Sequence, residues 1–318
     1  MNSEILYIVV PCYNEEEVLP ETSKRLKEKR KALIEAGVIG EKIRILFVDD
    51  GSKDKTWLLI QEFCANDTCF SGLKLAHNRG HQNALLAGLM TAKEYADIVI
   101  SMDADLQDDI EAMDAFIEKY HAGNDIVYGV RSSRKKDSFF KRSTALAYYR
   151  FLQKMGVDII YNHADYRLMS RRALEALADF KEVNLFLRGI VPLIGFQTAV
   201  VEYERSSRFA GESKYPLKKM LSFAIDGITS FSIKPIRMIT ALGFLIFAFS
   251  LIMLIYSIVI KITGHADSGW ASLICSIWMI GGIQLLSLGI IGEYIGKIYN
   301  ETKARPRYII EEFINRVE

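Results

Sequence analysis

The sequence has few cysteines and almost no net charge. Its 318 residues include four cysteines, and 40 basic side chains balance 39 acidic ones. The spacings of Cys12, Cys64, Cys69 and Cys275 match no zinc-binding pattern, so we predict reduced thiols in a cytosolic setting. The near-neutral charge gives no indication of a nucleic-acid partner.

Two common nucleotide-binding loops are also absent. The sequence contains neither a Gly-x-Gly-x-x-Gly nor a Walker A lysine loop, so neither a dinucleotide-binding fold nor a P-loop ATPase is indicated. Residues 1–4 form a short acidic stretch before the first apolar run, and we therefore expect no secretory signal.

The sequence does contain two long apolar runs near its C-terminal end. Residues 238–260 and 270–292 are each 23 residues long and carry no charge. At about 1.5 Å per residue, such a helix spans roughly 35 Å, which is enough to cross a hydrocarbon core of about 30 Å. We therefore predict two transmembrane helices. The alternative is a pair of buried helices in a soluble domain, although helices of that length normally carry a polar face.

Basic side chains flank the two runs but are scarce between them. The connector 261–269 holds one lysine, whereas the flanks hold Lys214, Lys218, Lys219, Lys234 and Arg237 on one side and Lys297, Lys303, Arg305 and Arg307 on the other. By the positive-inside rule, both flanks lie in the cytoplasm. We predict a multi-pass protein of the inner membrane, with an N-terminal domain over 1–210 and a C-terminal tail over 293–318 that are both cytoplasmic.

Residues 211–235 combine basic and aromatic side chains directly before the first apolar run. This composition predicts an amphipathic segment that lies in the headgroup region of the membrane. A solvated linker that carries only positive-inside charges is the alternative.

The N-terminal domain alternates short apolar runs with amphipathic segments. We predict strands over 5–11, 43–48, 72–75, 98–102 and 126–128, and helices over 15–36, 56–64, 82–92 and 110–120. This alternation is typical of an α/β domain with a mostly parallel sheet and helices on both faces. Ligands of such folds bind beyond the carboxyl ends of the strands.

Polar motifs follow four of these strands. They are Cys12-Tyr13-Asn14-Glu15-Glu16, Asp49-Asp50-Gly51-Ser52, His77-Asn78-Arg79-Gly80 and Asp103-Ala104-Asp105. Because parallel strands end at the same edge of a sheet, we expect these motifs to gather there.

The fourth motif has the pattern of a metal site. Asp103 and Asp105 can direct their carboxylates at one cation, and Gln107 can supply a further oxygen. Carboxylates, diphosphate oxygens and waters suit Mg²⁺ or Mn²⁺. Asp-x-Asp alone is a weak motif, and plain solvation of the two carboxylates is the alternative. Asp108 and Asp109 are expected to open the next helix, where negative charge suits the helix dipole.

Six short motifs occur in the order found in a known family. They are Val10 to Glu16, Val48 to Ser52, the pattern Asn78, Gly80, Ala84 and Gly88, then Asp103 to Gln107, Asp165 to Leu168, and Arg208 to Tyr215. The set resembles the family-2 glycosyltransferases, and more narrowly the polyisoprenyl-phosphate branch that includes dolichol-phosphate mannose synthases and bactoprenol glucosyltransferases. The resemblance covers nearly the whole chain.

The resemblance implies a GT-A fold and a metal-dependent glycosyltransferase with Mg²⁺ or Mn²⁺ as its cofactor. The implied reaction transfers one sugar, with inversion, from a nucleotide-sugar to undecaprenyl phosphate or a related polyprenyl phosphate for cell-envelope glycan modification. A UDP-sugar is the expected donor type, and the motifs do not identify the sugar. A homo-oligomer is a further expectation.

The resemblance also implies roles for individual residues. The nucleotide would be held by Pro11, Tyr13, Glu15, Asp49, Asp50 and Asp103, the metal by Asp103, Asp105 and Gln107, and the acceptor phosphate by Arg131, Arg142, Ser143, Arg205, Arg208, Ser213 and Lys214. Asp105, Asp165 and Arg131 would act in catalysis. Asp165 matches the position of the candidate base, while orienting Arg167 or the sugar hydroxyls is an open alternative.

Several residues near these motifs have a simpler interpretation. Arg131 and Arg142 could be surface charges, and His81 could be a helix-start residue or a contact for donor phosphate at the positive end of a helix. His77 and Arg79 stand where the family pattern has an arginine and an aromatic residue, which leaves the nearby contacts open.

Two other functions compete with this interpretation. A glycan-extending transferase would carry a Gln-x-x-Arg-Trp segment, which this sequence lacks. A catalytically silent membrane protein that binds nucleotide-sugars is the second alternative, and the intact Asp103-to-Gln107 motif argues against it.

Overall fold

The structure is a computed structural model that describes residues 4–132, 163–183, 185–204, 234–263 and 269–316. These residues divide into two compact units. The first contains the described residues up to 204 together with 305–316, and the second contains 234–263 and 269–304. The C-terminal residues therefore belong to the same unit as the N-terminal domain.

The described strands of the first unit form one eight-stranded sheet. They are β1 (Leu6–Cys12), β2 (Ile43–Asp49), β3 (Phe70–Leu75), β4 (Ile98–Ser101), β5 (Ile126–Arg131), β6 (His163–Ser170), β7 (Thr198–Tyr203) and β8 (Ile310–Ile314). Their order across the sheet is β7-β5-β6-β4-β1-β2-β3-β8. Strands β6 and β8 run antiparallel to their neighbours, and the remaining pairs are parallel.

Helices connect most of these strands. They are α1 (Leu19–Glu35), α2 (Thr56–Asn66), α3 (His81–Lys93), α4 (Ala112–His121), α5 (Arg171–Ala178) and α6 (Leu187–Ile190), and the last continues into a 3₁₀ turn, Val191–Ile194. The predicted α/β architecture with a mostly parallel sheet is confirmed. Helix α1 begins later than predicted, because residues 15–18 form a turn and Pro20, which has no N–H to donate, occupies the first helical turn.

The central strands form because their sequences are almost entirely apolar. Every residue of β1 is buried, as expected for a strand that is covered on both faces. Helix α3 packs closely on this strand through Gly88, where an added Cβ would lie 2.4 Å from Cγ1 of Val9 and 2.7 Å from Cγ2 of Val48. Only glycine permits that approach, so the last position of the Asn78-to-Gly88 pattern has a packing function.

Two antiparallel strands were not predicted from the sequence. Strand β6 carries the polar residues His163, Asp165 and Arg167, so it lacks the apolar pattern of a central strand. Strand β8 lies within the predicted tail 293–318 and pairs with β3. These residues therefore complete the sheet instead of forming a separate tail.

The second unit contains two long helices. Helix α7 (Lys234–Thr263) and helix α8 (Trp270–Lys303) cover the chain segments that the sequence predicts to span the membrane, and the two helices contact each other. Within the described residues, one segment, Met279–Lys303, is long and apolar enough to cross a membrane, with a mean hydropathy of 1.4. Two transmembrane helices over 238–260 and 270–292 therefore remain a prediction.

Candidate active site

The polar motifs gather at the carboxyl ends of β1, β2 and β4, as the sequence predicts. Cys12 pairs with Asp49 at the ends of β1 and β2, and Ser101 ends β4 two residues before Asp103. Strand β6 runs the other way, so its first residues reach the same edge, where Arg167 lies opposite Ser101. Asp165 therefore joins the site from a strand whose direction is reversed.

The loops after β1 and β2 are tied to each other. The backbone N–H of Asn14 donates to Oγ of Ser52 at 3.0 Å, and the N–H of Lys53 donates to Oδ1 of Asn14 at 2.9 Å. The N–H of Glu15 donates to Oγ1 of Thr56 at 2.9 Å. Asn14 has a φ of 54°, a left-handed conformation that asparagine tolerates better than most residues. These contacts fix the loop that carries three predicted nucleotide-binding residues, Pro11, Tyr13 and Glu15.

Tyr13 and Pro11 have different environments within this loop. Pro11 is buried at the end of β1, opposite Val48. Tyr13 is 42% exposed, so its ring is accessible to a ligand at this edge. A nucleotide-binding role is compatible with the exposure of Tyr13, and it remains a prediction for both residues.

Both carboxylates of the Asp49-Asp50 pair accept backbone hydrogen bonds. The N–H of Ser52 lies 3.3 Å from both oxygens of Asp49. The oxygens of Asp50 accept the N–H groups of Arg79, at 2.7 Å, and Gly80, at 2.8 Å. Burial raises the pKa of each carboxyl group above its usual value, although these hydrogen bonds oppose the increase. Asp50 therefore has a structural function, which is to hold the turn that precedes α3.

The loop after β4 alternates between exposed and buried side chains. Asp103, Asp105 and Gln107 are partly exposed, whereas Ala104, Leu106 and Asp108 are buried. Leu106 adopts a φ of 56°, and the N–H of Gln107 donates to Oδ1 of Asp105 at 3.2 Å. The three predicted metal ligands thus share one side of the loop. Within the described part of the chain, no three His, Cys, Asp or Glu side chains form a ready-made metal cluster.

His81, the first residue of α3, links this loop to Asp165. Its Nε2 lies 2.9 Å from Oδ1 of Asp103, and its Nδ1 lies 4.0 Å from Oδ2 of Asp165. Loss of solvation alone would lower the pKa of His81, but the hydrogen bond and charge of Asp103, together with the charge of Asp165, raise it. His81 is therefore more than the helix-start residue suggested by its sequence position.

Asp165 is buried between two arginines. Nη2 of Arg167 lies 2.6 Å from its Oδ1, and Nη2 of Arg188 lies 3.0 Å from its Oδ2. Burial alone would raise the pKa of Asp165, but the charges of Arg188, Arg167 and His81 hold it well below its usual range. A carboxylate with such a low pKa is a weak base. The contact with Arg167 agrees with the orienting role that the sequence left open.

A second cluster surrounds Arg131 at the end of β5. Tyr203 donates its hydroxyl to Oδ1 of Asp108 at 2.5 Å, and Nη2 of Arg131 lies 3.3 Å from the same oxygen. Nε of Arg131 also donates to the Tyr203 hydroxyl at 3.3 Å. This geometry corrects the expectation that Asp108 opens the next helix. Helix α4 begins only at Ala112, and Asp108 is 3% exposed beneath the loop of predicted metal ligands.

Sequence reasoning missed two functional candidates, and six of the residues it predicted fall outside the described part of the chain. Arg142, Ser143, Arg205, Arg208, Ser213 and Lys214, all predicted to contact the acceptor phosphate, lie outside the described residues. Arg188 and Tyr203 were not predicted. A charged residue within the apolar stretch Phe186-Leu187-Arg188-Gly189-Ile190 is a signal that could have identified Arg188. No comparable signal marks Tyr203.

The sequence comparisons agree with this geometry. Residues 7–178 match the family described as Glycosyl transferase family 2. The chain belongs to this family. Residues 234–298 match a second family, the GtrB C-terminal hairpin, which coincides with α7 and most of α8. The protein is therefore a glycosyltransferase. Its domain has the GT-A fold, with the candidate site at the carboxyl ends of the strands.

Relatives match over almost the full length of the chain. An uncharacterized glycosyltransferase, YkoT, of Bacillus subtilis (strain 168) is 59% identical over 96% of this chain and 91% of its own. A bactoprenol glucosyl transferase of Shigella phage SfX is 40% identical over 96% of this chain and 98% of its own. Among solved structures, a mannosyltransferase from Pyrobaculum calidifontis in complex with GDP-Man and Mn²⁺ is 16% identical, with a TM-score of 0.43, over 94% of this chain and 86% of its own.

The residues of the loop after β4 fit a divalent cation by their chemistry. Two carboxylates and one amide supply oxygen atoms from one side of a single loop, and oxygen is the ligand type that Mg²⁺ and Mn²⁺ take. Two contacts hold this loop in place. The Tyr203 hydroxyl donates to Asp108, and His81 forms a hydrogen bond with Asp103. A cation held by two carboxylates would need further ligands, which the diphosphate of a nucleotide could supply.

Proposed function

We propose that this glycosyltransferase transfers one sugar from a nucleotide-sugar to a polyprenyl phosphate, with undecaprenyl phosphate as the expected acceptor. The observation that carries the proposal is the match to a bactoprenol glucosyl transferase over 96% of the chain, which includes the C-terminal hairpin as well as the GT-A domain. An apolar hairpin that anchors the catalytic domain at a membrane suits an acceptor that is itself a membrane lipid.

The proposed chemistry is one inverting displacement. An oxygen of the acceptor phosphate attacks the anomeric carbon, the bond between that carbon and the diphosphate oxygen breaks, and the nucleoside diphosphate leaves with the electron pair. The acceptor is a phosphate monoester with a second pKa of about 6, so it is already largely ionised at pH 7. A general base is therefore unnecessary, which is consistent with the low pKa of Asp165.

The described side chains can stabilise negative charge at two positions, on the departing diphosphate and on the acceptor phosphate. Asp103, Asp105 and Gln107 would hold Mg²⁺ or Mn²⁺, which when bound stabilises the charge that develops on the departing diphosphate. Arg131 would bind the acceptor phosphate, and Asp108 and Tyr203 hold its guanidinium in position. An arginine fork suits this role because it can donate two parallel hydrogen bonds to phosphate.

The chain connectivity supports two membrane crossings. Strand β8 pairs with β3, so the residues that follow α8 return to the unit that contains the candidate site. A chain that leaves a soluble unit and re-enters it must cross the membrane an even number of times. The basic residues on both sides of the hairpin favour the cytoplasmic face for this unit.

The test is a donor panel with the purified full-length protein. Undecaprenyl phosphate, Mg²⁺ or Mn²⁺, and UDP- and GDP-sugars are incubated with the protein, and the lipids are analysed by mass spectrometry. We expect a glycolipid that carries one sugar and is labile to mild acid, together with free nucleoside diphosphate. No product with any donor contradicts the proposal, products longer than one sugar favour a glycan-extending enzyme, and donor binding without turnover favours a silent binding protein.

A further inference from the structure

Arg188 is the outer of the two arginines that bind Asp165. Arg167 is 1% exposed and reaches the carboxylate from inside the domain, whereas the side chain of Arg188 is 38% exposed. Arg188 contacts Asp165 along one edge of its guanidinium, through Nη2 at 3.0 Å and Nε at 3.4 Å. The exposed part of Arg188 can be reached by a ligand from solvent.

Two guanidinium groups converge on one buried carboxylate in this cluster. Arg167 is the buried partner of Asp165, with a 2.6 Å contact. Arg188 places a second, partly exposed guanidinium at the edge of the sheet where the other site residues lie. An exposed positive charge that is fixed by a buried carboxylate suits the binding of an anionic group.

A hydrogen bond to a side chain of α3 also fixes the backbone next to Arg188. The N–H of Leu187 donates to the side-chain oxygen of Gln82 at 2.9 Å, which ties the start of α6 to the first turn of α3. The neighbouring residue in α3 is His81, which binds Asp103 at 2.9 Å. One short segment of α3 thus holds both a predicted metal ligand and the segment that carries Arg188.

We propose that Arg188 binds phosphate oxygens of a substrate, and that Asp165 holds its guanidinium in place for this contact. The inference rests on the proposed function, because both substrates of that reaction contain phosphate. The phosphate could come from the donor diphosphate or from the polyprenyl phosphate acceptor. Arg188 is then a binding residue of the reaction, and Asp165 is a positioning residue that acts through Arg188.

This assignment gives Asp165 a role different from that of a general base. As a base, Asp165 would have to accept a proton, although each of its oxygens is already within hydrogen-bonding distance of an arginine. As a positioning residue, it needs only to remain charged and paired. The two roles predict different kinetic results, because loss of a base slows turnover, whereas loss of the positioned arginine weakens substrate binding.

The experiment compares the variants R188A, R188K and D165N with the parent protein in detergent. The first arm measures the affinity for UDP, or for the nucleoside diphosphate of whichever donor is active, by calorimetry with Mn²⁺ present. The second arm measures KM for undecaprenyl phosphate. We expect R188A either to weaken nucleotide binding or to raise KM for undecaprenyl phosphate, by at least tenfold. R188K should restore part of that loss, and D165N should change the same quantity in the same direction.

The matched control is R172A. Arg172 also pairs with an aspartate of the same unit, Asp125, and its side chain is 64% exposed, but this pair lies at the opposite end of β5 from Arg131. We expect R172A to leave both affinities within twofold of the parent. The arm that changes in R188A then identifies the source of the phosphate.

Four outcomes are decisive. If R188A leaves nucleotide affinity and lipid KM within twofold of the parent, Arg188 does not bind phosphate. If D165N lowers kcat at least a hundredfold with both affinities unchanged, Asp165 acts on the chemistry and not through Arg188. A D165N, R188A double variant that is no weaker than R188A supports the coupling even if D165N alone is poorly stable. Absence of any product from the parent protein instead contradicts the proposed function.

Discussion

Nε2 of His81 lies 2.9 Å from Oδ1 of Asp103, and this contact joins the first residue of α3 to the loop that carries the predicted metal ligands. The pair is separated by 22 residues in sequence. Because Gly88 packs α3 closely against β1 and β2, the position of His81 is set by the sheet itself. Asp103 is therefore held in place from the rigid part of the domain.

We expect H81A to raise the metal concentration that gives half-maximal activity several-fold, because Asp103 loses the partner that orients it. The measurement is glycolipid formation across a titration of Mg²⁺ or Mn²⁺. The matched control is H121A, because His121 forms a similar 2.9 Å contact with Glu4 away from the site. An unchanged metal requirement in H81A would show that His81 does not position a metal ligand.

Asp105 provides the most direct test of the metal site. We expect D105N to lower kcat at least a hundredfold, since an amide is a much weaker ligand for Mg²⁺ than a carboxylate. Thermal unfolding should stay close to that of the parent, because Asp105 is partly exposed. The control is D114N, which removes a carboxylate on α4 that pairs with Lys29. Near-normal turnover in D105N contradicts the metal assignment.

Tyr203 and Asp108 should act through Arg131. We expect Y203F to raise KM for the lipid acceptor about threefold to tenfold while KM for the donor stays within twofold, because the hydroxyl bonds both Arg131 and Asp108. D108N should raise KM for the lipid acceptor more than Y203F does, since it removes the carboxylate that pairs with Arg131. The control Y95F removes a hydroxyl from a half-exposed tyrosine that stacks on Tyr7. A change confined to donor KM would place Arg131 at the donor instead.

The Lys27–Asp67 pair predicts a pH-dependent stability that is independent of catalysis. Burial alone would raise the pKa of Asp67, but hydrogen bonds from Lys27 and from the backbone of Cys69 lower it to about 2. A carboxyl group with a lowered pKa stabilises the fold above its unfolded value of about 3.9, and this contribution is lost as the pH falls through about 2.

We therefore expect D67N to be less stable than the parent by roughly 1–2 kcal/mol at pH 6, with the difference shrinking between about pH 5 and pH 2. The measurement is unfolding followed by fluorescence over that range. K27M should lose part of the same stability, because the contact with Cys69 remains. A difference that does not depend on pH would mean that the Asp67 carboxylate is not the cause.

Asn315 tests whether β8 stabilises the first unit. Oγ of the buried Ser71 donates to Oδ1 of Asn315 at 3.0 Å, and Nδ2 of Asn315 donates to the Tyr7 hydroxyl at 3.4 Å. We expect N315A to lower the free energy of unfolding by about 1–2 kcal/mol, because a buried hydroxyl loses its acceptor. The control E311A removes an exposed ion pair with Lys74 and should cost less than about 0.5 kcal/mol. Equal effects of the two variants would argue against a specific anchoring role.

Much of the catalytic domain could be predicted from the sequence because its signals are local. The continuous apolar runs of β1 and β2 indicate buried parallel strands, and the motifs that follow them lie at one edge of the sheet. Alternation within Asp103 to Gln107 also predicted which side chains face outward. The same reasoning failed for Asp108, because a carboxylate near a helix start was expected to be a cap, and its partners come from β5 and β7.

The sequence by itself determined the order of the strand-end motifs, the apolar hairpin and the chemical types that make up the site. Only the tertiary structure decided which distant residues join them. The reversed β6 brings Asp165 to the site edge, α6 adds Arg188, and β8 returns to the sheet across a separation of 244 residues between Ser71 and Asn315. Pairing between distant segments leaves no periodic pattern along the chain, so these contacts become apparent only in the folded protein.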